Sequence, residues 1–232
     1  MVQSREQGEI RVIQAEFSQD WLTNPIEQDG QRQAAWRTDP GRSGVGGCIG
    51  DIGTHAYQLA CFVSGLQLDQ LAADLSTFVT GRRLDDNAHV LLRFKGGARG
   101  LLFASQVCPG NENGLRLRIY GSKGGLEWHQ EDPNYLWHST FGQPKRLITR
   151  GGPGFIAAAA SLTRVPPGHP EGYLEGFANL YGEMATAIRS RQRGRRTEEG
   201  FDFPGIADGL AGMAFIDACV RSSTRNGKWV KL

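Results

Sequence analysis

Apolar positions recur along this chain with two periods, and the switches between them outline the fold. From Glu9 to Phe17 the period is two. Ile13, Ala15 and Phe17 share one face, and Ile10 and Val12 start the other, which predicts a strand. Residues 20–43 lose the alternation, are polar, and contain Pro25, Pro40 and several glycines, so they read as a long connection. Trp21 and Trp36 within it argue for order, because an indole needs a surface to pack on. Ile52, Ala56, Leu59, Ala60 and Val63 then keep helical spacing and predict a helix from about Gly50 to Ser64, with Gly65 as its C-terminal cap.

From Leu66 to about Arg150 the period returns to two. Candidate strands cover 71–79, 88–94, 98–107 and 115–120, then a short one through Trp128, and two more at 135–139 and 146–149. Lys95-Gly96-Gly97 and the run from Gly121 to Gly125 supply hairpin turns. Residues 150–168 are rich in Gly, Pro and Ala and irregular. Glu171 to Arg191 is an amphipathic helix that ends in a basic run, Arg189, Arg191, Arg193, Arg195 and Arg196. Cations there complement the helix dipole. Pro204 to about Ser222 predicts a last helix, apolar nearly all round and therefore expected to be buried between layers. Trp229 to Leu232 closes as a final strand. Consecutive hairpins give the fold class: α+β, an open, largely antiparallel sheet with helices packed on one face. No internal repeat or linker appears, so residues 1–232 read as one domain.

Composition narrows this further. The 32 glycines among 232 residues fit a chain of many tight turns. A net charge of +2 gives no electrostatic reason to expect nucleic acid or a membrane surface as partner. The four cysteines, Cys48, Cys61, Cys108 and Cys219, have no metal-type spacing, which favours reduced thiols and a cytoplasmic protein. The first residues hold no apolar leader core, and no apolar run approaches the ~20 residues of a membrane span.

The candidate chemistry sits in Gly46-Gly47-Cys48-Ile49-Gly50-Asp51-Ile52-Gly53-Thr54-His55. On a regular helix Asp51 and His55 lie one turn and about 40° apart, on a face away from the apolar stripe. Three readings are open: a capping acid with an incidental histidine, a two-residue metal chelate, and an acid–base pair in which the carboxylate orients an imidazole that titrates near neutrality. His129, Asp132, His138 and His169 lack ligand spacing, so no metal site is expected. Gly44, Gly46 and Gly50 are no dinucleotide fingerprint, since no strand precedes them and no acid-ended strand follows. A Walker-type phosphate loop is also missing.

The motif Gly46-Gly47-x-x-x-Asp51-x-Gly53-x-His55 resembles the signature of the C-terminal domain of the glucose–fructose oxidoreductase/inositol dehydrogenase (Gfo/Idh/MocA) family. Trp36-Arg37 before it, Asp85-Asp86, Ile119-Tyr120-Gly121-Ser122-Lys123-Gly124, His169-Pro170-Glu171-Gly172-Tyr173 with Phe177, Phe203-Pro204 leading to Asp208-Gly209, and the closing Gly227-Lys228-Trp229-Val230 follow in family order. The resemblance implies an NAD(P)-dependent oxidoreductase acting on a sugar, inositol or related polyol. His55 would be the acid/base for the substrate hydroxyl, and Asp51 would assist it or bind substrate. Arg37, Lys123, His169 and Tyr173 would shape or line the substrate pocket. Gly46 and Gly47 would let the helix start approach the nicotinamide.

That family holds its NAD or NADP on an N-terminal Rossmann domain, which the resemblance does not find here, nor a Glu-Lys-Pro motif. The chain is therefore expected to be the substrate-binding and oligomerisation domain alone, binding no cofactor and inactive without its missing partner domain. Its sheet face is expected to form a homo-oligomer. Two alternatives stand beside this: a stand-alone dimeric binding or scaffolding module, and part of an NAD-dependent glycosidase.

Overall fold

The computed structural model describes residues 1–153, 157–194 and 203–232. Arg195 and Arg196, the end of the basic run, lie outside the described residues.

Alternation of apolar side chains builds one sheet. Among the described residues its nine strands are β1 (Ile10–Ser18), β2 (Leu68–Ser76), β3 (Asn87–Phe94), β4 (Arg99–Ser105), β5 (Gly114–Gly121), β6 (Gly124–His129), β7 (Tyr135–Thr140), β8 (Arg146–Thr149) and β9 (Val230–Lys231). Their spatial order is β8-β7-β6-β5-β1-β4-β3-β2-β9. The pairs are antiparallel except β1 with β4, which run parallel with Ala15 opposite Leu102. The expectation of consecutive hairpins therefore fails at one place. β4 and β5 are not neighbours, because β1 lies between them and pairs with both. Its nine residues offer hydrogen-bonding edges on both sides, and its central position follows from filling both.

The inward face carries the core. Ile13, Ala15 and Phe17 of β1, Val90 and Leu92 of β3, Leu102 and Ala104 of β4, and Leu117 and Ile119 of β5 are all buried. Among the described residues two helices cover that face. A π-helical turn, Ile49–Gly53, leads into α3 (Thr54–Ser64), which crosses β1 and β5. The helix at Ile206–Ser223 packs on β2. Gly65 closes α3 in the left-handed conformation, φ 69°, which suits glycine. The connection 20–43 contains two short helices, α1 (Arg32–Arg37) and α2 (Pro40–Ser43).

Among the described residues three helices lie between β8 and β9: α4 (Ala157–Ala160), α5 (Tyr173–Gln192) and α6 (Ile206–Ser223). Tyr57 of α3 stacks on Phe215 of α6, ring centroids 4.3 Å apart and planes within 1°. The expectation that α6 is buried between layers holds only for its second half. Phe215, Ala218, Cys219 and Ser222 are buried, whereas Ile206, Leu210 and Met213 are exposed. The second half is the anchored one: Phe215 stacks on Tyr57, and the Ser222 hydroxyl accepts from the Ala73 N–H of β2 at 2.9 Å. No residue of α5 is buried. No helix among the described residues is long and apolar enough to cross a membrane.

Candidate functional site

Two buried acids hold the glycine-rich turn and the loop beside it. The Asp85 carboxylate accepts from the Gly47 N–H at 2.6 Å, the Ile49 N–H at 2.8 Å and the Cys48 thiol at 3.1 Å. Its carbonyl accepts from the Cys48 N–H at 2.8 Å. Burial pushes the Asp85 carboxyl above its ordinary range, while the Ile49 and Gly47 amides pull it back. Burial also pushes the Cys48 thiol well up, with the Asp85 carboxylate adding to the effect. Asp86 accepts from the Phe78 and Val79 amides and pairs at 3.1 Å with Arg82. Arg82 also binds Glu27 at 3.0 Å and the Leu22 carbonyl at 2.9 Å. The acid pair thus ties the start of β3 to the signature turn and to the connection.

The glycines are explained by the chain's own packing. A Cβ on Gly47 would stand 2.0 Å from the Asp85 carbonyl oxygen, and one on Gly46 would stand 2.8 Å from Ile49 Cγ2 and 3.0 Å from Ile216 Cγ2. Both glycines are buried. The close approach they permit within this chain is to Asp85 and to α6.

Asp51 sits inside the π-helical turn, and His55 is the second residue of α3. A π turn is wider than an α turn, so the 40° offset of a regular helix does not apply. No Asp51–His55 hydrogen bond forms among the described residues. Instead Arg37 Nε reaches both Asp51 oxygens at 3.1 Å, and Gln106 Nε2 donates to Oδ2 at 2.8 Å. Arg37 is itself seated: its guanidinium carbon lies 4.2 Å from the Trp36 ring centroid and 5.9 Å from that of Trp21, and Nη1 donates to Gln33 Oε1 at 2.6 Å. Here the connection does its work, since α1 delivers Trp36 and Arg37 to the signature turn. His55 is exposed and meets Phe17 edge-on, centroids 6.3 Å apart. The arrangement can offer a fixed carboxylate acceptor beside a free imidazole one turn away.

Gln106 was not singled out by sequence reasoning. A signal existed: it follows Leu102 and Ala104 at a spacing of two, so a polar amide occupies the buried face of a strand end. It is 2% exposed, its N–H donates to the Asp86 carbonyl at 2.9 Å, and its carbonyl accepts from the Leu22 N–H at 3.1 Å.

The other expected pocket residues lie elsewhere. Lys123 is in the β5–β6 turn, next to Gly121, which pairs with Ile10 at the start of β1. His55 touches Phe17 near the other end of that strand, seven residues or roughly 23 Å away. His169 is at the same end of the sheet as His55 but lines a cleft with Asp132, Asn134 and Arg150 beside β7 and β8. Three to four strand spacings, roughly 14–19 Å, separate that cleft from β1. Arg150 holds the His169 carbonyl at 2.6 Å and Glu171 at 2.7 Å. Tyr173 starts α5, 77% exposed, against Phe177. Of the residues read from sequence, the structure brings together Arg37, Asp51 and His55. Among the described residues no three His, Cys, Asp or Glu side chains are grouped to hold a metal ion.

Comparison with known proteins agrees with the fold and the motif. Residues 1–127 match the GFO/IDH/MocA C-terminal domain model. An uncharacterized oxidoreductase, YfiI of Bacillus subtilis (strain 168), is 31% identical over all of this chain and 60% of its own length. An oxidoreductase from Sinorhizobium meliloti is similar at 53% identity and TM-score 0.86, over all of this chain and 59% of that one. An inositol dehydrogenase homolog complexed with NAD+ from Azotobacter vinelandii is similar at 35% identity and TM-score 0.93, over all of this chain and 60% of that one. The chain thus spans about 60% of the length of the relatives it matches. With the signature turn, the nine-stranded sheet and the family model in agreement, the chain belongs to the GFO/IDH/MocA family of oxidoreductases, to which it contributes the C-terminal domain.

Proposed function

We propose that residues 1–232 are a single substrate-binding and oligomerisation domain of an NAD(P)-dependent oxidoreductase whose substrate is a sugar, inositol or related polyol. The observation that carries this reading is the clamped carboxylate beside a free imidazole: Asp51 held by Arg37 and Gln106, with His55 exposed one turn on. The polyol class is supported by a relative at 32% identity whose structure was solved with NADH and myo-inositol.

In this reading Asp51 accepts a hydrogen bond from one substrate hydroxyl and fixes the sugar ring. His55 Nε2 or Nδ1 takes the proton of the hydroxyl that is oxidised. A nicotinamide bound on a nucleotide-binding domain would supply the hydride acceptor for the carbon that bears that hydroxyl, so that a carbonyl product results. Among the described residues no glycine-rich strand–helix unit stands ready to hold the dinucleotide, and in this reading they supply the substrate side. The free outer face of the sheet, where Val12, Leu91 and Leu101 are exposed, is the oligomer contact.

The test is a fusion of this chain to the part of the Sinorhizobium meliloti relative that it does not match. The fusion should form NADH or NADPH with inositols or sugars, the chain alone should not, and His55→Ala should abolish turnover. Turnover by the isolated chain, or full turnover by the His55→Ala fusion, would overturn the reading.

A further inference from the structure

A cleft of about 370 Å³ opens beside β7 and β8, lined by Asp132, Asn134, Tyr135, Thr149, Arg150 and His169. The proposed function makes no use of it, yet its volume suits a small molecule. Its base is rigid. Arg150 spends all five guanidinium N–H groups inside the chain. Nε donates to Asn134 Oδ1 at 2.9 Å, Nη1 meets the Val165 carbonyl at 3.0 Å and Glu171 Oε2 at 2.7 Å, and Nη2 meets the Pro166 and His169 carbonyls at 3.4 and 2.6 Å. Glu171 ties the same wall together by accepting from the Arg164 and Val165 amides. Asn134 is spent as well: Oδ1 also accepts from the Glu171 N–H at 3.1 Å, and Nδ2 donates to the Glu171 carbonyl at 2.9 Å.

The groups at the opening are of another kind. Asp132, Tyr135 and Thr149 are exposed, and among the described residues their side-chain oxygens have no hydrogen-bond partner. His169 Nδ1 lies 3.3 Å from the Pro166 carbonyl, which can only accept. The proton of the neutral imidazole therefore sits on Nδ1, and Nε2 presents a lone pair. The charges of Arg150 and Glu171 cancel, and Arg164, the next cation along the wall, is turned to Asn179 at 2.7 Å. Asp132 keeps an uncompensated negative charge. The cleft thus offers acceptors and hydroxyls, holds no spare guanidinium donor, and repels anions.

We propose that this cleft binds a small protonated amine that also carries hydroxyls, such as an amino sugar. The ammonium meets the Asp132 carboxylate and the face of Tyr135. The ligand's O–H groups donate to His169 Nε2 and exchange hydrogen bonds with the Thr149 hydroxyl. A neutral polyol leaves the Asp132 charge unmatched, and a sugar phosphate brings a like charge against it. The cleft lies roughly 14–19 Å from β1, so it is separate from the Asp51–His55 site. The inference does not rest on the proposed function and needs no nucleotide-binding domain for its test.

The isotopically labelled chain is titrated at neutral pH with glucosamine and, separately, with glucose, which carries a hydroxyl in place of the amine. Backbone amide shifts of residues 131–135 and 168–172 should saturate with glucosamine, and glucose should bind at least about tenfold more weakly, the worth of a hydrogen bond to a charged group. Asp132→Asn should weaken glucosamine binding by a similar factor and leave the melting temperature within about 2 °C, because the side chain is exposed. Asp51→Asn should leave the shifts at the cleft unchanged. Shifts that never saturate, equal affinity for glucose, or wild-type affinity in Asp132→Asn would each overturn the proposal. Loss of the shifts in Asp51→Asn would also overturn it, by assigning the ligand to the other site.

Discussion

Gln106 Nε2 donates to Asp51 Oδ2 at 2.8 Å, joining the end of β4 to the signature turn across 55 positions of sequence. With Arg37 on the other side, the carboxylate is gripped from two elements. Gln106→Leu removes one grip and leaves the backbone bonds of residue 106 in place. In the active fusion this should raise KM for the polyol by roughly tenfold, the worth of one hydrogen bond to a charged group, with a smaller change in kcat. Gln106→Asn should recover part of the loss. Steady-state kinetics on the three proteins checks it, and an unchanged KM would show that Arg37 alone suffices.

The glycines of the signature differ in what they tolerate. Gly47→Ala drives a Cβ to 2.0 Å from the Asp85 carbonyl oxygen, so the Asp85 hydrogen bonds to residues 47–49 must shift. Gly50→Ala meets nothing nearer than Ile216 Cδ1 at 3.9 Å. Urea unfolding should show a loss of about 3 kcal/mol or more for Gly47→Ala and less than about 1 kcal/mol for Gly50→Ala.

Acid stability should depend on Glu127. Lys145, then His129 and Arg118, bind its carboxylate and lower it from 4.5 to about 2, against a burial effect that raises it. Because the folded value lies below the unfolded one, the contribution is complete above pH 4.5 and is lost as pH falls toward 2. With solvent screening of a partly exposed group it amounts to about 1–2 kcal/mol. Glu127→Gln should therefore unfold at lower urea than the wild type at pH 6, and the difference should shrink at pH 3.

The outer sheet face makes a separate prediction. Leu101 and Leu91 lie opposite each other on β4 and β3, both exposed. Sedimentation should give a dimer or larger species for the isolated chain, and Leu101→Glu should shift it toward monomer without lowering its melting temperature by more than about 2 °C. A wild-type chain that stays monomeric at high concentration removes the sheet face as an interface.

Most of the sheet was legible because burial on one face imposes a period of two, and Ile13, Ala15 and Phe17 show it plainly. The helix at residues 54–64 was legible for the same reason at a different period. The partners of β1 were not, since hydrophobic alternation fixes which face a strand buries but not which edges it joins. The Asp51–His55 pair was found, but its geometry was misjudged. A π turn has no sequence period of its own, and the carboxylate's partners, Arg37 and Gln106, come from distant segments. Asp85 and Asp86 stood out as a pair, but what they hold becomes visible only when residues 47–49 and Arg82 are placed beside them.

The place of β1 between β4 and β5 has a kinetic consequence. Residues 68–105 can zip into one stack of hairpins and residues 114–149 into another, each from local contacts. Neither stack touches the other in the sheet without β1, whose parallel register with β4 spans more than 80 positions of sequence. Closing so long a loop is the slow step in such topologies. Refolding should therefore be limited by the arrival of the first strand, and substitutions at Ile13 or Ala15 should slow folding while those in β7 or β8 chiefly hasten unfolding.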